Sequence, residues 1–222
     1  MRAAAIQVPM PRLYAVPVAR GAMPRDVGCS ATLRSPCKLL QLCALCPLAD
    51  LYSDHADELV FTRKRVRCGE SLYRVGDAFG SLYALRSGFL KSSVVLEHGK
   101  QQITGFPMAG EVLGMDGIGT GHYTLDLVAL ETSDVYVIPF ACLERAARNA
   151  PLLQRQLHRI MSREMERCQD VMLLLGTMRA EVRVVMFLLN LSMRFAARGY
   201  SPVEFNLRMS RDDIGSYLGL TL

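Results

Sequence analysis

Four cysteines, Cys29, Cys37, Cys43 and Cys46, stand in one short segment of a chain that carries seven in all. Thiols gathered in this way hold a metal ion or an iron–sulfur cluster, or exchange a disulfide. An odd total spread over 222 residues argues against a structural disulfide framework. The spacing Cys37-x5-Cys43-x2-Cys46 can wrap a metal or cluster if its loop bends, because the ligands need geometry rather than order. Cys43-x-x-Cys46 alone is weak as a redox pair, since no strand–helix–strand pattern surrounds it. His55, His98, His122 and His158 are scattered, and none stands in a Cys–His–carboxylate arrangement. Neither a phosphate-binding Gly-x-x-x-x-Gly-Lys-Ser/Thr loop nor a dinucleotide fingerprint occurs. The chain offers no catalytic site and reads as a non-enzyme.

With 50% hydrophobic and 21% charged residues, the composition is that of a globular protein and excludes a disordered chain. A net charge of +5 permits nucleic acid without demanding it. The most apolar run, Val182 to Leu191, is broken by Arg183 and Asn190, so no membrane span is expected. Pro9 and Pro11 interrupt the apolar start before a secretory signal can form, which leaves a cytoplasmic location as the expectation.

The elements that must position these residues fall into four segments. Residues 1–36, with Pro9, Pro11, Pro17 and Pro24, read as a flexible leader. Residues 37–150 hold the cysteine segment and then short β-branched runs. Turn signals at Cys68-Gly69-Glu70, Gly76-Asp77, Ser87-Gly88, His98-Gly99 and Met108-Ala109-Gly110 separate these runs, and such spacing predicts an all-β roll. Thr62 to Arg67, although basic, alternates as a solvated strand face does. Phe140 to Asn149 reads as a short helix.

Pro151 opens a long helix over residues 151–176, along which Leu157, Met161, Met165, Cys168, Met172 and Leu175 recur at steps of four and three. Such a stripe packs on its own domain or on a second copy, and dimerisation is the expectation. A neutral thiol at Cys168 costs little there, whereas a carboxylate would be desolvated against its symmetry mate. Residues 177–222 carry an amphipathic helix, a turn at 199–202 and a predicted strand Val203 to Leu207. Ser210 and Asp213 then form a capping box at the head of a helix-turn-helix, with Gly215 where two helices cross, Gly219 in the turn and Thr221 as the next cap.

These residues resemble the FNR branch of the CRP/FNR family of transcription regulators. The resemblance runs from about Cys37 to Leu222. It is carried by Ser81-Leu82-Tyr83-Ala84-Leu85-Arg86-Ser87-Gly88, Gln102-Ile103-Thr104-Gly105-Phe106, Ala129-Leu130-Glu131-Thr132-Ser133, Arg194-Phe195-Ala196-Ala197-Arg198-Gly199 and Asp213 to Thr221. It implies an α+β chain: an N-terminal sensor β-roll like a cyclic-nucleotide-binding jelly roll, a long dimerisation helix, and a C-terminal winged helix cut short. It also implies a homodimer on palindromic DNA under oxygen or redox control, with Ser210, Arg211, Ser216 and Thr221 at the DNA. RNA polymerase would be contacted through Arg86, Ser87 and Gly88 and through the loop from Glu97 to Gln102.

Oxygen-sensing members hold a [4Fe-4S] cluster with three N-terminal cysteines spaced C-x2-C-x5-C and a fourth in the roll. In the same register Cys37 and Cys43 stand at the second and third positions, but Arg34 stands at the first and Tyr136 at the fourth. Cys29, Cys46 and Cys142 are the available substitutes. A cluster, a thiol–disulfide switch and the remnant of a lost site all remain open. The wider family clamps a cyclic phosphate with Gly-Glu-Leu and a following Arg. Here Gly110-Glu111-Val112 is present, but Gly119 to Leu130 holds no Arg, so cyclic AMP is not expected.

The family's base-reading helix follows Thr221. Two or three missing bidentate contacts per half-site, at ~1–3 kcal/mol each, remove ~4–18 kcal/mol from a dimer, against a typical specificity of ~4–10 kcal/mol. The chain as written is therefore expected to fail at specific DNA binding and to be a piece of a longer regulator. The alternative is an interaction module that dimerises, or pairs with a full-length relative, without reading DNA.

Overall fold

The computed structural model describes residues 62–97 and 99–220. Eight strands come first: β1 (Thr62–Val66), β2 (Ser71–Tyr73), β3 (Ser81–Ser87), β4 (Leu90–Val95), β5 (Gln101–Gly105), β6 (Val112–Leu113), β7 (Asp126–Ala129) and β8 (Ser133–Pro139). Four helices follow: α1 (Phe140–Asn149), α2 (Pro151–Thr177), α3 (Ala180–Ala197) and α4 (Arg211–Tyr217).

The strands form two four-stranded antiparallel sheets, one ordered β1-β8-β3-β6 and the other β2-β7-β4-β5. The chain reverses at Gly69, Gly76, Gly88, Gly99 and Gly110, all with positive φ, where the turn signals were expected. Gly88 has a further reason. Its φ is +104°, and a Cβ there would lie 2.1 Å from Ser133 Oγ, so no other residue fits between β3 and β8.

Alternation along the strands sorts side chains between two cores. On β3, Leu82 and Ala84 face α1 and α2, where they meet Ile138, Leu143, Ala146, Leu153 and Ile160. Leu85 points between the sheets, with Val66, Leu72, Leu90, Leu127 and Val135. The inter-sheet space is closed by Tyr73, Tyr83 and Tyr123. Tyr73 and Tyr123 stack with centroids 4.0 Å apart, the Tyr73 hydroxyl donates to Asp116, and the Tyr123 hydroxyl donates to the Ser81 carbonyl. Burial pushes the Tyr73 phenol far above its ordinary range, so it stays neutral.

A third core joins the roll to the C-terminal helices. Phe89, Ile103, Phe106 and Met108 of the roll are buried against Phe187 and Leu191 of α3, Met209, and Leu218 just beyond α4. Each such side chain taken fully from water contributes roughly 1.5–3 kcal/mol, which keeps α3 and α4 on the sheet.

Helix boundaries follow local rules. Pro151 is the first residue of α2, where its missing N–H costs nothing. Ser210 caps α4 in a capping box: its hydroxyl accepts from the Asp213 N–H, and the Asp213 carboxylate accepts from the Ser210 N–H. The predicted strand Val203–Leu207 does not form. No described strand pairs with it, Val203 is 89% exposed, and Phe205 leaves the alternation to stack on Phe195 at 4.9 Å.

Candidate functional site

Glu111 follows the Gly110 turn and enters β6. Its Oε1 accepts from Arg194 at 2.7 Å and from Arg198 at 2.9 Å, both on or just beyond α3. Arg194 also donates to the Phe106 carbonyl at 2.7 Å, and Arg198 donates to the Ala109 carbonyl at 2.6 Å. Burial works against a charged Glu111, but the two guanidiniums outweigh it and hold the carboxyl below the usual glutamate range. Burial depresses Arg198 from its own high value. The acidic residue of the Gly110-Glu111-Val112 motif is thus committed to α3, and the three tyrosines fill the roll behind it.

Helix α4 lies along β5, the outermost strand of its sheet. The Ser216 hydroxyl accepts from the Ile103 N–H at 3.0 Å and donates to the Gln101 carbonyl at 3.2 Å, and the Gln102 amide donates to the Ser216 carbonyl. Lys91 of β4 pairs with Asp213 at 2.6 Å. The carboxyl of Asp213 is held low. Burial opposes its charge, and the Lys91 and Ser210 bonds prevail. In this arrangement the Ser216 hydroxyl, expected at the DNA, is engaged on the sheet edge. Ser210 and Arg211 are exposed at the head of α4, and Thr221 lies outside the described residues. The loop from Glu97 to Gln102, expected to face polymerase, gives its last two residues to α4, and His98 within it lies outside the described residues.

The α2 stripe divides. Leu157 packs on the core beneath α1, and Leu175 lies at the turn after α4, where a Cβ on Gly219 would approach it to 3.6 Å. Met161, Met165, Cys168 and Met172 between them are exposed, Met165 at 60% and Met172 at 64%.

Arg86, Ser87 and Gly88 do not form an isolated hairpin tip. They line a cleft of about 300 Å³ shared with Phe195, Tyr200, Ser201 and Glu204.

Cys29, Cys37, Cys43 and Cys46, with Arg34, lie outside the described residues. Tyr136 pairs with Ala84 and packs on the helix-facing side of its sheet. Cys142, half-buried in α1, has the Arg145 guanidinium 3.8 Å from its sulfur. Among the described residues no three His, Cys, Asp or Glu side chains gather as metal ligands. The roll therefore presents a phenol, not a thiolate, at the fourth cluster position.

Arg183 escaped the sequence reading. From α3 it donates to the carbonyls of Leu175 at 2.6 Å, Met178 at 3.0 Å and Leu218 at 3.0 Å, closing the ends of α2 and α4 together. An Arg inside an amphipathic run gives no signal of such a task.

The cyclic nucleotide-binding domain family matches residues 63–150. The fumarate nitrate reduction regulatory protein of Klebsiella oxytoca is 45% identical over 195 residues, 88% of this chain and 78% of that protein. The fumarate and nitrate reduction regulatory protein of Escherichia coli K12 matches to the same extent. Among solved structures, FixK2 from Bradyrhizobium japonicum aligns with a TM-score of 0.65 and 34% identity, covering 73% of this chain and 79% of that one. No described helix is long and apolar enough to cross a membrane. Identity at this level across roll, long helix and C-terminal helices makes the chain a member of the CRP/FNR family of transcription regulators, on its FNR branch.

Proposed function

We propose that the chain is an oxygen- or redox-responsive transcription regulator of the cytoplasm that works as a homodimer on palindromic DNA. The observation that carries this reading is the exposed run Met161, Met165, Cys168 and Met172 on α2. The helix joins a sensor roll to a capped helix-turn-helix front, and its apolar face is left for a second copy. Dimerisation would set two copies of Ser210 and Arg211 about a two-fold axis, as a palindrome requires. Arg86, Ser87 and Gly88, with the cleft behind them, are the proposed contact for RNA polymerase.

Cys29, Cys37, Cys43 and Cys46 are the proposed sensing thiols, as ligands of a [4Fe-4S] cluster or as a disulfide switch. A bound cluster would supply reactivity toward oxygen. Glu111 is held by two arginines of the C-terminal helices, and Gly119 to Leu130 holds no Arg to clamp a cyclic phosphate, which supports a regulator that does not respond to cyclic AMP. The interaction-module alternative keeps the same helix and dispenses with DNA.

Sedimentation of the chain joined to iron and acid-labile sulfide analysis under strict anaerobiosis tests the reading. A dimer at micromolar concentration, with an absorption band that bleaches in air or thiols that oxidise reversibly, is the expected result. A monomer with all seven thiols inert would overturn it. Binding to a palindromic site separates the regulator from the interaction module.

A further inference from the structure

We propose that Glu111, Arg194 and Arg198, together with α4 seated on β5, form a latch that holds the C-terminal helices on the sensor roll and must open before α4 can turn its inner face outward. The inference deepens the regulator reading, on which its purpose rests. The contacts themselves do not depend on it.

The loop from Phe106 to Glu111 is gripped at three points: its two carbonyls at Phe106 and Ala109, and the Glu111 carboxylate, all by two arginines of one helix. That loop leaves β5 in one sheet and enters β6 in the other. Any displacement of the sheets relative to each other therefore moves Glu111 against Arg194 and Arg198. A partly buried carboxylate between two guanidiniums tolerates little change of geometry, since separating one partner leaves charge without compensation.

The second grip is on the sheet edge. β5 ends its sheet, and the Ile103 N–H and Gln101 carbonyl are groups that a free edge would offer to another strand. Ser216 satisfies both, and Lys91 holds Asp213 at the other end of α4. These anchors are polar and directional. Water can replace each of these polar partners once α4 lifts, so the cost of opening lies mainly in the apolar side chains beneath it, Met209 and Leu218 among them.

Amide hydrogen exchange on the full chain tests the latch, and it requires neither DNA nor a sensing group. Glu111→Gln is expected to speed exchange by at least about tenfold at residues 101–111 and in α4, with the β1 amides, which face only β8, unchanged. If Glu111→Gln instead loosens the whole roll, Ser216→Ala decides, because it removes a hydroxyl outside the roll. Faster exchange confined to Ile103 and α4 upholds the latch. Exchange unchanged at these sites in both variants, or unchanged in Ser216→Ala where Glu111→Gln acts globally, overturns it. A protein that latches yet shows no oxygen response would refute the regulator reading and leave the latch standing.

Discussion

Arg183 and Gly88 show how much single residues decide here. Arg183 satisfies three helix-end carbonyls, which otherwise lie partly buried without donors. Arg183→Ala should lower unfolding free energy by about 1.5–3 kcal/mol, read from the urea midpoint at constant slope. Arg183→Lys should recover only part of this, since one ammonium cannot span the fork. At the β3–β8 crossing, Gly88→Ala would force a Cβ against Ser133 in a left-handed conformation and should cost more than ~2 kcal/mol. Arg86→Ala, two residues away, should change stability by less than ~0.5 kcal/mol. A loss of transcription activation in Arg86→Ala with unchanged melting would thus report polymerase contact, whereas a loss in Gly88→Ala would report only folding.

Among the elements, α2 and α4 invite separate tests. Met165→Asp places a carboxylate on the exposed stripe, where a dimer would bury it beside its own copy. It should convert dimer to monomer in sedimentation and leave the circular dichroism of the roll intact. The docking of α4 responds to pH through Glu111 and Asp213, whose carboxyls are both held below their ordinary values. A group depressed in the folded state contributes its full stabilisation above its unfolded pKa, ~4.3 for Glu and ~3.9 for Asp, and loses it as pH falls through the folded value. Protection of the α4 amides, taken relative to the intrinsic exchange rate at each pH, should therefore stay flat from neutrality to about pH 4.5 and fall below about pH 4. An α4 that loosens between pH 6 and 7 would point to other groups.

At the scale of the whole molecule, the parts written in short-range pattern were readable from sequence. The glycine turns delimit the strands, Pro151 opens α2, and Ser210 with Asp213 announces α4, because each depends on neighbours a few residues apart. Glu111 was visible only as a phosphate-motif residue. Its partners lie 83 and 87 residues away, at and just beyond the end of α3. The same distance hid the role of Ser216, since nothing near position 216 shows that β5 ends its sheet. Val203 to Leu207 failed as a strand for the converse reason: alternation is local, but a strand exists only where another pairs with it.

The seat of α4 on β5 bears on how the chain is made. Synthesis runs from the N-terminus, so all eight strands leave the ribosome while the Gln101–Gly105 edge is bare, and Ser216 arrives over a hundred residues later. Throughout that interval the nascent roll carries an open β-edge of the kind that recruits other chains. A translational pause between the end of β8 and the start of α4 would lengthen this exposure, and aggregation in such a chain would begin at β5.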